Sequence, residues 1–315
     1  MGNDMIRTVD DRTDQRIDNP TDDIDNTDNP WIIRSRVVHA MTVPFTIQIV
    51  GMPWQSVEDL DDMIDTAATR IANHLHGAET RFSPFNACSL VTRARRGDWS
   101  ALLNDPDFAE VYALCTQAKQ LTDGTFDPMH DGAYDPTGIV KGWAIQRAHE
   151  RILMPLVRSE RCAAAALGGG GDIQTAVHAD SDFQWRIGVQ NPFAVDAGTT
   201  HTGTVQQTAM PHTPALRTTT PRTITLRNGA VATSGTYRRG EHITRTAHDL
   251  AQATVVDDHL IFADMWATAA ISAGERRFRE LTDPYGHLLA VLVRADHTIA
   301  TIGDNDSLPA ADRYH

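Results

Sequence analysis

Asp264 and Thr268 stand four residues apart in the run Asp264-Met265-Trp266-Ala267-Thr268. On a helix that spacing puts both side chains on one face, about a turn apart. A carboxylate and a hydroxyl so placed offer hard oxygen ligands, which suit Mg²⁺ better than Zn²⁺. A helix-capping aspartate and an ordinary helical threonine give the same pattern. In Asp135-Pro136-Thr137-Gly138-Ile139-Val140-Lys141-Gly142 a turn leads directly into a helix. Backbone N–H groups and a lysine then converge at a helix N-terminus, an arrangement that favours a phosphate or pyrophosphate. A capped helix start with a surface lysine fits as well, and the GxxxxGK[ST] spacing of a P-loop is absent. Gly168 to Gly171 follow an apolar run and precede Asp172. Such glycines admit a ligand close to the backbone, or mark a tight turn; no GxGxxG spacing is present, which rules out a dinucleotide fingerprint. His242, near Arg238 and Arg239, can hold a phosphate or take a proton from a nucleophile. It is also one of fourteen histidines, in a hydrophilic stretch that suits a solvated surface residue. No GxSxG elbow and no Cys–His pairing is legible, so covalent hydrolase chemistry has no support.

The elements that must position these residues are legible in part. The chain has 315 residues, 41% of them apolar, ample for a buried core. Its net charge of −13 excludes an electrostatic nucleic-acid footprint. Residues 1–30 hold nine Asp against three Arg and few aliphatics, which predicts a disordered acidic tail. No run of about 18 apolar residues and no apolar stretch after Met1 is found, so neither membrane insertion nor export is expected. Cys88, Cys115 and Cys162 are too few and too far apart for a disulfide framework or a zinc site, which fits a reducing cytoplasm.

Alternation after Pro44 predicts a strand over 40–50. Leu60, Ile64, Ala67, Ile71 and Leu75 predict a helix over 55–78, started by Ser56. Further helices are expected over 106–122, from Ile139 towards Leu153, and over 261–273. Strands are expected at 163–167, 184–189, 253–256, 288–293 and 298–302, with a hairpin of 223–226 and 230–233 about Asn228-Gly229. Residues 193–222, rich in Thr and without a period, predict a long loop. This interleaving supports one α+β domain over 31–315 with a mixed or antiparallel sheet and flanking helices.

Taken in order, the segments resemble the successive motifs of the ApbE family of FAD:protein FMN transferases. Ala40-Met41 with Phe45-Thr46-Ile47 resembles that family's opening strand. Glu79 to Ser89 is similar to its ExxFSxFxxDSxL segment, and Thr122-Asp123-Gly124-Thr125-Phe126-Asp127-Pro128 to its TxGAFDPT element. Asp135–Gly142, Leu167–Ile173, Trp185–Pro192, Ala230–Gly235, His242-Ile243 and Ala263–Ala269 follow at matching places, so that the resemblance spans about 37–302. It departs where Thr42 replaces a glycine, where Cys88 replaces an acid, and where Thr244-Arg245-Thr246 lacks the aspartate expected after His242-Ile243; Asp249 is the nearest substitute.

The resemblance implies a T-fold-related ApbE-like domain with an FAD cleft. It implies Mg²⁺ held by Asp264, Thr268 and the carbonyl of Gly138, and FAD contacted by Met41, Phe85, Thr125, Phe126, Asp127, Asp135, Thr137, Lys141 and Ile243. His242 would be the general base. The implied reaction moves FMN from FAD to a Thr or Ser hydroxyl of an acceptor protein and releases AMP. A Mg²⁺-dependent FAD pyrophosphatase, or a flavin-storage protein without turnover, would share these sites.

Overall fold

Alternating side chains explain the first two elements. The computed structural model describes residues 31–129, 132–193, 222–235, 246–285 and 288–303. In it strand β1 (Ile33–Ala40) pairs antiparallel with β2 (Val43–Val50) across a two-residue turn. Both turn residues, Met41 and Thr42, have left-handed backbones, with φ of 50° and 63°. That geometry matches the twist of a hairpin but is uncommon outside Gly and Asn. Strand β1 went unread because its turn carries neither.

Helix α1 (Val57–Phe82) begins as expected, with the Ser56 hydroxyl accepting from the Asp59 amide at 3.1 Å. It runs four residues beyond the expected end and buries Leu60, Ile64, Ile71, Leu75 and Phe82. The short helices α2 (Leu90–Arg95) and α3 (Ala101–Asn104) follow, then α4 (Pro106–Leu121), capped by Asp105. Helix α5 (Thr137–Ala148) passes through a π turn (His149–Leu153) into α6 (Met154–Arg158). His149 in that turn is 0% exposed, and neither ring nitrogen makes a hydrogen bond of good geometry.

Strands β3 (Ala164–Gly169) and β4 (Asp172–Val177) form a hairpin about Gly170-Gly171. Both glycines have positive φ, so the glycine run serves as a tight turn. Strand β5 (Trp185–Val189) pairs with β6 (Arg222–Leu226) in a separate two-stranded ribbon. Strands β7 (Gly229–Gly235) and β8 (Leu250–Asp257) return to the main sheet. Helix α7 (Leu260–Thr282), β9 (Leu289–Arg294) and β10 (Ile299–Ile302) complete the described elements. The large sheet has the order β1-β2-β3-β4-β7-β8-β9-β10, and its pairings are antiparallel.

One expectation fails here. Residues 223–226 and 230–233 do not pair with each other; β6 pairs with β5, whereas β7 pairs with β4 and β8. Asn228 Oδ1 accepts from the Val177 amide at 2.8 Å, and Arg227 donates to the carbonyls of His178 and Ala179. These anchors turn the chain from one sheet into the other, where a bare Asn-Gly signal predicts a hairpin.

Period-two alternation sorts the sheet into two faces. Ala165, Leu167, Ala230, Ala232, Ala253, Val255, Ala290 and Leu292 join the core beneath the helices. Ala164, Ala166, Val231, Val256 and Leu289 pack instead with Trp185, Ile187, Ile224 and Leu226 of the ribbon. The result is an α+β arrangement of antiparallel sheet and flanking helices. Among the described residues no helix is long and apolar enough to cross a membrane. The acidic segment 1–30, and all of 193–222 except Phe193 and Arg222, lie outside the described residues.

Candidate active site

Side chains from two neighbouring elements fix the start of helix α7. The Leu260 amide donates to Gln174 Oε1 at 3.0 Å and the Ile261 amide to Gln146 Oε1 at 3.2 Å. Gln174 lies on β4 and Gln146 on α5, so they take the place of a side-chain cap from α7's own N-terminus. Helices α5 and α7 also approach closely at Gly142. A Cβ there would lie 3.3 Å from Asp264 Oδ2 and 3.4 Å from the Leu260 carbonyl, so only glycine fits comfortably.

This crossing gathers the charged groups. Asp264 is 4% exposed, and its Oδ2 lies 3.5 Å from Lys141 Nζ. Lys141 also forms an ion pair with Asp172 Oδ2, which compensates an otherwise sealed oxygen. Asp172 Oδ1 accepts from the Thr233 amide at 3.1 Å. One turn along α7, the half-buried Thr268 has its Oγ1 3.2 Å from Ser234 Oγ. Lys141, Asp172, Asp264, Ser234 and Thr268 thus meet from α5, β4, α7 and β7. Asp172 and Ser234 were missed as site residues. Both stand inside segments already singled out, but their roles follow from the β4–β7 register, which no local pattern reveals.

The loop before α5 carries other expected residues. Phe126 is buried, and its ring packs on Gly138: a Cβ on that glycine would lie 2.8 Å from Phe126 Cε2. Its first job is therefore packing. Thr125 donates to the Thr122 carbonyl at 2.8 Å. Asp127 pairs with Lys119 at 2.8 Å and accepts from the Met129 amide at 2.9 Å. Asp135 pairs with Arg95 at 3.2 Å and accepts from the Thr137 amide at 3.0 Å. That amide, offered to an anion in the sequence, already has a carboxylate partner.

Met41 sits in the β1–β2 turn, partly buried against the core. Phe85, after α1, is 95% exposed, an unusual placement for an aromatic ring. His242 and Ile243 lie outside the described residues. Asp249, the substitute for the missing aspartate, is already engaged: its Oδ2 accepts from the Glu275 amide at 3.0 Å. Beside it Gly274 breaks α7 with φ 78° and ψ 168°, and Asp249 caps the segment after the break.

The donor chemistry of the crossing suits a hard divalent cation. It offers the Asp264 carboxylate, the Asp172 carboxylate already held by Lys141, and the hydroxyls of Thr268 and Ser234, with half-buried Gly138 one turn before Gly142 on α5. Among the described residues no three His, Cys, Asp or Glu side chains gather as a metal cluster, so a cation here would depend on this mixed oxygen set. Burial pushes Cys115 and Cys162 up to about 12, and no cysteine is in a disulfide.

Comparison with known proteins gives two findings and one blank. The model of the ApbE family matches residues 130–292. The fold is similar to that of the flavin transferase ApbE from Vibrio cholerae, with a TM-score of 0.59 at 16% identity, covering 87% of this chain and 97% of that one. It is similar to the ApbE protein from Thermotoga maritima, with a TM-score of 0.61 at 18% identity, covering 85% and 96%. The apo flavinyl transferase ApbE of Pseudomonas stutzeri gives 0.59 at 17% identity, covering 86% and 94%. No curated protein matches.

Proposed function

The chain belongs to the ApbE family, and on that premise we propose that residues 31–315 act as a Mg²⁺-dependent FAD:protein FMN transferase. The observation that carries the reading is the meeting of Asp264, Thr268, Ser234 and Lys141 where α5 and α7 cross. A flavin transferase must hold a pyrophosphate and neutralise charge as a phosphoanhydride breaks. Oxygen ligands and an ammonium at one crossing supply groups for both tasks.

Asp264, Thr268 and the Gly138 carbonyl would hold Mg²⁺, which when bound would offset negative charge on the pyrophosphate. Lys141 adds fixed positive charge beside them. Phe85, with its ring in solvent, would stack on an aromatic ring of FAD. Met41, Thr125, Asp127, Asp135, Thr137 and Ile243 complete the proposed flavin contacts. The acceptor's Thr or Ser hydroxyl attacks the FMN-side phosphorus. A new P–O bond forms, the anhydride P–O bond breaks, and AMP leaves. His242 takes the hydroxyl proton, since an alcohol near neutral pH needs a base. The partners are therefore FAD and an acceptor protein, and the free cysteines fit a reducing cytoplasm.

The test is AMP release from FAD with Mg²⁺, with and without an acceptor carrying a flavinylation threonine, using Asp264→Ala as control. AMP and covalent flavin that both require the acceptor support the transferase. AMP without the acceptor replaces it with a pyrophosphatase. Tight FAD binding with no AMP in either tube leaves a flavin-binding protein.

A further inference from the structure

We propose that Arg95 is a positioning residue for flavin binding: its guanidinium holds the Tyr134 carbonyl and the Asp135 carboxylate together and so fixes the turn that opens α5. This rests on the flavin site proposed above, to which that turn contributes Asp135 and Thr137.

Arg95 is the last residue of α2, the helix that follows the loop carrying Phe85. Its Nε donates to the Tyr134 carbonyl at 2.7 Å, and its Nη2 lies 3.2 Å from Asp135 Oδ2. A planar guanidinium presents both donors in one rigid fork, so the two acceptors are held relative to each other. The other Asp135 oxygen, Oδ1, accepts from the Thr137 amide at 3.0 Å, one of the amides that the start of α5 leaves without a helical partner. Rotating the carboxylate breaks one contact or the other. The backbone around it is pinned separately. The buried Tyr134 ring packs among Trp99, Phe108 and Tyr112, and the Asp135 amide donates to the Pro128 carbonyl at 2.7 Å. Those contacts leave the Asp135 side chain to be set, and Arg95 sets it. Next to it Arg96 donates to the Ala87 carbonyl at 3.4 Å, so the same end of α2 also braces the Phe85 loop. The Arg95 and Asp135 side chains are each 27% exposed, so solvent screens their attraction and the contribution is one of geometry.

Arg95→Lys keeps the positive charge and loses the fork. The experiment titrates the full chain with FAD and Mg²⁺, without acceptor, by flavin fluorescence, and records a melting temperature for each protein. It uses the parent, Arg95→Lys, Asp135→Asn and the double variant. Arg95→Lys is expected to weaken FAD binding about tenfold, well inside the cost of misplacing a preorganised group by about 1 Å. Its melting temperature should stay within about 4 °C of the parent, as a screened pair allows. A larger fall makes Arg95 a structural residue and overturns the proposal. In the Asp135→Asn background the lysine change should matter by no more than about threefold, because the grip is already broken there. An equal loss in both backgrounds puts Arg95 on the flavin itself and also overturns it. Hydrogen exchange without FAD is the second measurement. Residues 134–140 should exchange about tenfold faster in either single variant, and unchanged protection in both overturns the proposal. No FAD binding by the parent defeats the flavin reading and the inference with it. Equal FAD binding by the parent and Arg95→Lys defeats the inference alone.

Discussion

Burial holds the ring of His149 down to about 4, against an ordinary 6.5, with the Glu150 charge and the nearby Ala165 backbone opposing weakly. No ring nitrogen makes a hydrogen bond of good geometry, which is why desolvation dominates. In the unfolded chain the imidazole gains its proton near pH 6.5; in the folded chain it stays neutral to about pH 4. Between those limits the unfolded state binds more protons. Stability is therefore complete above pH 6.5 and falls as the pH drops towards 4. At ~1.4 kcal/mol per pH unit, the loss between pH 7.5 and pH 5 is about 2 kcal/mol from this group alone. His149→Leu removes the titrating ring. At pH 7.5 its cost should stay below ~1.5 kcal/mol, because two unpaired buried nitrogens disappear with the ring. Urea unfolding of both proteins at pH 7.5 and pH 5 gives the comparison. The variant should lose about 2 kcal/mol less than the parent between the two pH values. Other titrating groups, including His74, whose ring burial also lowers, are shared and cancel. Parallel losses would refute the reasoning and place His149 in contact with water or an acceptor.

Gly274→Ala should destabilise by roughly 3–5 kcal/mol, from a glycine-only backbone and an overpacked contact. The added Cβ would meet Ala247 and Asp249 Oδ1 at 2.5 Å, and a melting temperature within 2 °C of the parent would refute it. Thr42→Gly should stabilise by up to about 1 kcal/mol. It relieves a left-handed threonine, although glycine's freedom in the unfolded chain offsets part of that gain. A loss on urea unfolding would show that the turn is unstrained. Phe85→Ala should leave unfolding within about 0.5 kcal/mol of the parent, as an exposed ring does, while weakening FAD binding in a fluorescence titration. Unchanged affinity would remove Phe85 from the flavin site.

Helices were legible where an apolar stripe and a cap coincide. In α1, Leu60, Ile64, Ile71 and Leu75 with Ser56 define one buried face and its start. The strands were harder. The β1–β2 turn at Met41-Thr42 carries no turn signal, and Asn228-Gly229 carries a strong one that long-range anchors override. At the site, the Asp264–Thr268 spacing placed a carboxylate and a hydroxyl on one helix, as expected. Lys141 read either as a phosphate ligand at a helix N-terminus or as a surface lysine beside a capped helix start. Its pairing with Asp172 depends on a hairpin, a ladder end and a helix crossing that are set by tertiary packing, not by neighbours in sequence.

The contact at Gly142 works as a fulcrum. Lys141 and Asp264 stand beside this close contact between α5 and α7, and a rigid rod rocking about a pivot moves least there. At a rise of about 1.5 Å per residue, the break at Gly274 lies about 15 Å along the lever from Asp264. A tilt of about 5° would swing that far end by roughly 1 Å and leave the charged pair almost in place. Any tilt of α7 about this contact would therefore displace Lys141 and Asp264 least.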